Sequence, residues 1–168
     1  MSLTVEKCIE GWTNTLTQLN VKADIVFFGD SLIYYGVFAS LFPNKVVCNL
    51  GLRGDTIQGL ITRIEQVLIL EPGVIYMMAG INDIAELTIE KFEVYYSKLI
   101  YEIKLNLPAA NLIILSILPV NNTCFNISCN NEQIKAFNQA LSRLHLRIRY
   151  LLRIYILYLL RMENCLVS

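Results

Sequence analysis

The sequence predicts an α/β protein, a three-layer doubly wound sandwich around a parallel sheet of four to five strands. Short apolar runs alternate along the chain with longer segments in which apolar residues recur every three or four positions. That βαβα order is typical of a parallel sheet. Apolar residues make up 55% of the 168 residues and charged residues only 17%, which fits strands that are covered on both faces. The length suits one domain over residues 1–168.

The N-terminal elements are predicted from apolar patterning. Residues of about 3–19 form a helix with Trp12 and Leu16 on one face. Asp24–Phe28 is a short, almost wholly apolar run and predicts the first strand. Lys45–Cys48 predicts a second, shorter strand.

The middle of the chain shows helical spacing followed by a third strand. Thr56 can cap a helix. The apolar residues that follow at helical spacing are Ile57, Leu60, Ile61, Ile64 and Leu68. The turn residues Glu71-Pro72-Gly73 end this helix, and Val74–Met78 is the third strand.

The next predicted helix and strand lie between Thr88 and Pro119. Thr88 can cap a long helix that carries apolar residues from Ile89 to Ile103, and Pro108 stops it. Leu112–Leu118 then predicts the fourth strand. A further helix starts near Asn131 and carries Ile134, Phe137, Leu141 and Leu144.

The last residues, 146–168, form an atypical tail. Leu144–Tyr150 alternates as a strand does, yet it also continues the preceding helix. Arg153–Tyr158 can supply a fifth strand. The tail is basic and rich in Leu, Tyr and Arg, and an apolar tail of this kind can pack on a second copy of the chain.

Composition and charge limit the classes of partner and the location that we expect for this protein. The formal net charge is zero, so no overall field favours nucleic acid as a partner. The longest uncharged run of the tail, Ile154–Leu160, is too short for a membrane span. Glu6 and Glu10 stand where a signal peptide needs a basic and then an apolar stretch. The five cysteines show no metal-ligand spacing, and we expect a reducing, cytoplasmic location.

Three loop motifs each follow a predicted strand. They are Gly29-Asp30-Ser31-Leu32, the longer stretch from Asn49 to Thr56 (NLGLRGDT), and Gly80-Ile81-Asn82-Asp83. Because the C-terminal ends of parallel strands meet at one edge of a sheet, we expect these loops to converge on one crevice.

In this order the three motifs resemble blocks I, II and III of the SGNH hydrolases, also called GDSL-like lipases and esterases. The resemblance covers residues of about 20–145. Ser116–Asn121 and the helix from Asn131 resemble the platelet-activating-factor-acetylhydrolase-like or sialate-esterase-like branch. The family implies a flavodoxin-like SGNH fold and the cleavage of small acyl esters through an acyl-serine. It implies no metal and no cofactor.

The resemblance assigns a role to each motif. Ser31 is the candidate nucleophile, and the Gly54 backbone N–H and the Asn82 side chain are candidate oxyanion donors. Each position also has an ordinary interpretation: a helix-capping serine, a glycine at positive φ, and an asparagine that stabilises its own turn. We expect Asp30 and Asp83 to bind loop backbones rather than to act in catalysis.

The fourth family motif, Asp-x-x-His, supplies the catalytic base and is not found. The chain has no Asp after Asp83, and its only histidine is His145. The predicted helix places His145 roughly 20 Å along its axis from the site edge, too far for a base. Arg53 and Asp55 are predicted to form a solvated loop pair.

We therefore predict an impaired serine hydrolase whose C-terminus is incomplete, lacking the last loop and helix of the family. Two other functions stay open. The crevice can bind an ester or a carbohydrate without cleaving it, or the apolar tail can make the chain an interaction module, including a homo-oligomer.

Overall fold

Strands and helices alternate as the sequence predicts. The computed structural model describes residues 3–121, 129–148 and 154–157. Within these residues the five strands are β1 (Ile25–Gly29), β2 (Val47–Gly51), β3 (Val74–Met78), β4 (Asn111–Leu115) and β5 (Ile154–Leu157). The helices are α1 (Leu3–Leu19), α2 (Ser31–Tyr34), α3 (Ile57–Thr62), α4 (Glu65–Leu70), α5 (Ile89–Asn106) and α6 (Asn131–Ile148), with a 3₁₀ turn at Ala39–Leu41.

All five strands are parallel and lie in the order β2-β1-β3-β4-β5. Gly29 pairs with Gly51 on one side and with Met78 on the other, so β1, β2 and β3 end level with one another. The tail supplies β5, which pairs with β4 from Leu112 to Leu115. The prediction of a fifth strand is thus confirmed, whereas 149–153 and 158–168 lie outside the described residues.

Helices flank the sheet on both faces, but unequally. The main core joins one face to side chains from α1 and α3–α6. The opposite face packs against Ile33 of α2 and against Phe38 and Phe42 in the segment that follows it. Right-handed crossovers account for this division. The step from β1 to β2 runs in the opposite direction along the sheet to every later step, so its connection covers the other face.

Three predicted elements differ from the structure. The fourth strand, predicted at Leu112–Leu118, covers Asn111–Leu115. The single helix expected from Thr56 is divided into α3 and α4 around Arg63 and Ile64, because the buried Arg63 side chain turns toward the strand ends. Strand β2 runs to Gly51 rather than ending at Cys48, since its backbone pairs fully with β1. Its first half therefore carries the apolar signal, and its second half belongs to the loop motif.

Helix α1 forms as predicted, but Trp12 and Leu16, which were predicted to share one face, differ in burial. Leu16 is buried, whereas Trp12 is 64% exposed. Helix α2 was not predicted, because its four residues are too few to show helical periodicity. It starts directly after β1 with Asp30 as its N-cap. Within the described part of the chain, none of the helices is long and apolar enough to cross a membrane.

Candidate active site

Ser31 is the first residue of α2, directly beyond the end of β1. The Asp30 carboxylate caps this helix, because Oδ1 accepts a hydrogen bond from the Leu32 N–H at 2.9 Å. A side chain at Gly29 would lie 2.0 Å from the Met78 carbonyl oxygen, so only glycine allows β1 and β3 to approach here. The turn therefore presents a half-buried serine at the C-terminal edge of the sheet.

The last residues of strand β2 pack against α2. Asn49 Nδ2 donates to the carbonyl oxygens of Ile33 at 2.8 Å and Gly36 at 3.0 Å. Its Oδ1 accepts from the Gly51 N–H at 2.9 Å. The sequence placed Asn49 in a motif but gave it no role. The structure shows that its amide fastens α2 to the end of β2.

Gly54 lies in the exposed part of this loop with φ of +72°. Glycine adopts this left-handed conformation without strain. An added Cβ meets no atom within 4 Å, so backbone conformation and not space favours glycine here. The residue after it, Asp55, is buried.

Asn82 lies beside the Gly54 loop. Its Nδ2 donates to the Asp55 carbonyl oxygen at 2.8 Å, across 27 residues of chain. A side-chain amide carries two N–H groups, so one of them serves this bond and the second stays available as a donor. The loop after β3 is therefore joined to the loop after β2 at Asp55, the residue that follows Gly54.

The Gly29 carbonyl joins the Ser31 loop to the same assembly. It accepts from the Leu52 N–H at 2.9 Å and from Arg63 Nη2 at 3.0 Å. Asp30 in turn donates its N–H to the Met78 carbonyl at 3.3 Å. The three predicted site residues thus lie on three loops that are hydrogen-bonded to one another at one edge of the sheet.

Arg63 is the site-adjacent residue that sequence reasoning missed. Its guanidinium pairs with the Asp55 carboxylate at 2.7 Å, and each side chain is only 2% exposed. The predicted solvated pair of Arg53 and Asp55 is wrong, because Asp55 faces inward to Arg63. Arg53 is exposed instead and lies 5.8 Å from the Tyr35 ring centroid. A single arginine among the apolar positions of a predicted helix was the available signal, since buried charge requires a partner.

Asp30 and Asp83 act as the sequence predicts, on loop backbones. Both Asp83 oxygens accept from the Ile57 N–H, at 3.2 and 3.3 Å, at the start of α3. Burial raises the pKa of Asp30 to about 6, and its bond from Leu32 opposes the rise. Burial also raises the pKa of Asp83 to about 6, and the neighbouring carboxylates add to it. Asp30, Asp55 and Asp83 thus form a cluster of buried carboxyl groups. Among the described residues, Arg63 is the one cation that pairs with a member of this cluster.

His145 lies in the last turn of α6 and is half-buried. This helix is fastened to the end of the sheet at Asn138, whose side chain bonds both the N–H and the carbonyl of Ile117 at 2.9 Å. His145 follows Asn138 by seven residues, about 10 Å farther along the helix axis. Among the residues that the structure describes, no group of three His, Cys, Asp or Glu side chains could hold a metal ion.

Comparisons with known proteins identify the family and the fold. The model of the GDSL-like lipase/acylhydrolase family matches residues 27–151. A search of curated proteins gave no match.

Solved structures share the fold. One from Streptococcus pneumonia, described as a candidate platelet activating factor, is 24% identical with a TM-score of 0.74, covering 100% of this chain and 85% of that one. A candidate lipolytic protein of the G-D-S-L family from Desulfitobacterium hafniense is 23% identical with a TM-score of 0.66, covering 83% and 81%. The acetyl xylan esterase AlAXEase is 19% identical with a TM-score of 0.65, covering 80% and 76%.

Proposed function

Because the chain belongs to the GDSL-like lipase/acylhydrolase family, we propose that Ser31 is the nucleophile of an ester-hydrolase site. In this proposal the Gly54 N–H and the Asn82 side chain are the oxyanion donors. The observation that carries it is the bond from Asn82 Nδ2 to the Asp55 carbonyl. That bond holds the Asn82 amide beside Gly54, at the sheet edge where Ser31 also lies.

The proposed reaction is acyl transfer to serine. The Ser31 Oγ attacks the ester carbonyl carbon as its proton passes to a base, and the carbonyl oxygen becomes negative. Donors already fixed in place stabilise that charge. Collapse of the intermediate breaks the bond to the alcohol, which takes up a proton, and water then hydrolyses the acyl-serine.

We propose small acyl esters, acetyl esters foremost, as the substrate class. The support is the fold that this chain shares with an acetyl xylan esterase. The sequence identity of 19% is evidence for the fold and not for the substrate. Neither the zero net charge nor the described residues point to nucleic acid as a partner. A cytoplasmic location is part of the proposal, supported by the free thiol of Cys48.

We propose that this chain turns over slowly. A base must come within hydrogen-bond distance of the serine hydroxyl. The single histidine of the chain lies in the last turn of α6, about 10 Å along the axis from the point where α6 meets the sheet end. Loss of the base from a catalytic triad costs about 10⁶-fold in turnover.

Chemical rescue tests both parts of the proposal. Hydrolysis of 4-nitrophenyl acetate is measured with and without imidazole, for the wild type and Ser31→Ala. We expect a rate near background without imidazole. Imidazole should then raise the wild-type rate above that of Ser31→Ala, which corrects for hydrolysis by imidazole itself. An identical response of both proteins would overturn the assignment of Ser31.

A strong wild-type rate without imidazole that disappears in Ser31→Ala would instead show that a base is present. His145→Ala is then the deciding variant, because it removes the only histidine.

A second candidate function is binding of an ester or carbohydrate without cleavage, favoured by the position of the single histidine. Titration with 4-nitroacetophenone, an ester analogue that cannot be hydrolysed, separates the two. Binding with no imidazole response supports this second function over the first.

A further inference from the structure

Arg63 is buried where a charge is costly. Its exposure is 3%, and its guanidinium lies 4.5 Å from the Phe28 ring centroid. A cation in such surroundings is stable only when its donors are satisfied and a counter-charge is near. Asp55 supplies the counter-charge, with Nε donating to Oδ2 at 2.7 Å.

Arg63 Nη1 also donates to Gln66 Oε1 at 3.4 Å, and the two terminal nitrogens of Arg63 reach two different strand ends. Nη1 donates to the Leu50 carbonyl of β2 at 2.8 Å, and Nη2 donates to the Gly29 carbonyl of β1 at 3.0 Å. The planar guanidinium presents these donors in a fixed fork. One side chain thereby sets the distance between the ends of two neighbouring strands and the loop that follows the second.

Each proposed catalytic group lies close in sequence to one of these contacts. Gly29 precedes Ser31 by two residues. Asp55 directly follows Gly54, and its carbonyl accepts the Asn82 amide. A chain of hydrogen bonds therefore runs from the Ser31 loop through Arg63 and Asp55 to Asn82.

The break between helices α3 and α4 lies at Arg63, the residue that makes these contacts. Helix α3 ends at Thr62 and α4 begins at Glu65. The break falls at Arg63 itself, whose φ of −112° and ψ of 19° depart from helical values. The departure accompanies a side chain that turns toward the strand ends.

We propose that Arg63, with Asp55, is a positioning residue that holds the Ser31 nucleophile in register with the two oxyanion donors. This inference rests on the proposed function. It assigns Arg63 no contact with substrate. Its prediction is that the geometry of the reacting groups, and not merely the stability of the fold, depends on the guanidinium.

The first test compares Arg63→Met and Arg63→Lys with Lys104→Met as a matched control. Lys104 is also a buried cation, 4% exposed, whose Nζ donates to the Ala110 carbonyl at 2.6 Å at the opposite end of the sheet. All three variants should lower Tm. Displacement of reacting groups by about 1 Å costs on the order of 10²-fold in rate.

We therefore expect kcat for imidazole-supported hydrolysis to fall about 10²-fold in Arg63→Met, with KM little changed. Arg63→Lys should recover part of that loss, and Lys104→Met should keep the wild-type kcat. An equal kcat for Arg63→Met and Lys104→Met, both measured where the proteins are folded, would overturn the inference.

The second test needs no turnover. In ¹H–¹⁵N spectra, Arg63→Lys should shift the backbone amides of Ser31 and Gly54 and the side-chain amide of Asn82, whereas Lys104→Met should leave them in place. Unmoved Ser31, Gly54 and Asn82 signals in Arg63→Lys would contradict the inference, even if Arg63→Met does not fold. If Ser31→Ala keeps the imidazole response, the proposed function fails, while this spectral result still decides the role of Arg63.

Discussion

Asn82 differs from other surface asparagines in what its amide holds. It is exposed, yet its Nδ2 bonds a backbone carbonyl 27 residues away. Asn106 is a matched exposed asparagine, and its Nδ2 donates to the Glu102 carbonyl of its own helix at 2.8 Å. Replacing each of these two asparagines therefore distinguishes the loss of any exposed amide from the loss of a donor at the proposed site.

We predict that Asn82→Ala lowers imidazole-supported hydrolysis on the order of 100-fold, the usual cost of a lost oxyanion donor. Asn106→Ala should retain the wild-type rate. Steady-state kinetics with 4-nitrophenyl acetate check this, with Tm recorded for both variants. Equal rates for the two variants would remove Asn82 from the proposed site.

The raised pKa values of Asp30 and Asp83 predict an unusual pH dependence of stability. Each pKa is about 6 in the folded chain and near 3.8 when unfolded. Between these values the folded state binds more protons than the unfolded state, so the free energy of unfolding rises as pH falls from about 7 to about 5. Below about pH 4 the trend reverses, because hydrogen bonds lower the pKa of the exposed Asp24 and Glu90.

Thermal unfolding followed by circular dichroism at pH 7.5, 6.5 and 5.5 measures this trend. Tm should increase toward pH 5.5, and Asp30→Asn should weaken the increase because its amide does not titrate. Asp24→Asn is the control, since it alters a carboxylate that is already ionised in this window. A Tm that falls between pH 7.5 and 5.5 would show that the buried carboxyls are ionised throughout.

At the scale of elements, close backbone approach fixes how β1, β2 and α2 fit together. A Cβ on Gly51 would lie 2.1 Å from the Tyr34 nitrogen and 2.4 Å from its Cα. Backbone atoms cannot rotate aside as a side chain can. Gly11, in the exposed middle of α1, has no atom within 4 Å of an added Cβ.

We predict opposite effects for alanine at these two glycines. Gly51→Ala should destabilise the protein by about 3 kcal/mol or fail to fold, as overpacking against fixed backbone does. Gly11→Ala should stabilise α1 by up to about 1 kcal/mol. Urea unfolding of both variants decides this, and a tolerated Gly51→Ala would mean that α2 does not pack on β2 as described.

Helix boundaries show what local sequence can and cannot predict. Thr56 and Thr88 cap α3 and α5 as expected, with their side chains accepting from Gly59 and Lys91. Capping is local, so the sequence predicts it well. The break between α3 and α4 was not predicted, because the acceptors that attract Arg63 come from residues 29, 50 and 55.

For the whole molecule, the two faces of the sheet differ in their cover. On the smaller core's side Phe27 stacks between Phe38 and Tyr76, with ring centroids 3.7 and 4.8 Å away. Tyr76 and Ile113 remain partly exposed there. The connecting segment also leaves Val37 79% and Leu41 68% exposed. Exposed apolar side chains favour contact with another protein surface.

We predict self-association that grows with concentration, since zero net charge adds no repulsion between copies. The proposed contact is the tail, of which β5 lies at the edge of the sheet. Light scattering during size-exclusion chromatography measures it. The double variant Val37→Lys, Leu41→Lys should still associate if the tail carries the contact. A clean monomer at high concentration would contradict the prediction.

The sequence by itself determined the fold class, the alternation of strands with helical segments, and the three motifs that carry Ser31, Gly54 and Asn82. These follow from apolar periodicity, capping residues and motif order, which are written locally along the chain. Periodicity also permitted a fifth strand without deciding it, and the pairing of Ile154–Leu157 with β4 decided it.

Only the tertiary structure decided that Asp55 faces Arg63 and not Arg53, that Asn49 fastens α2, and that Asn82 meets the Gly54 loop. Each of these contacts joins residues that are distant in sequence, or pairs Asp55 with one of two arginines, Arg53 or Arg63. Burial and strand pairing favour Arg63 as the partner of Asp55. A buried charge needs a counter-charge, and only the folded backbone brings this one close.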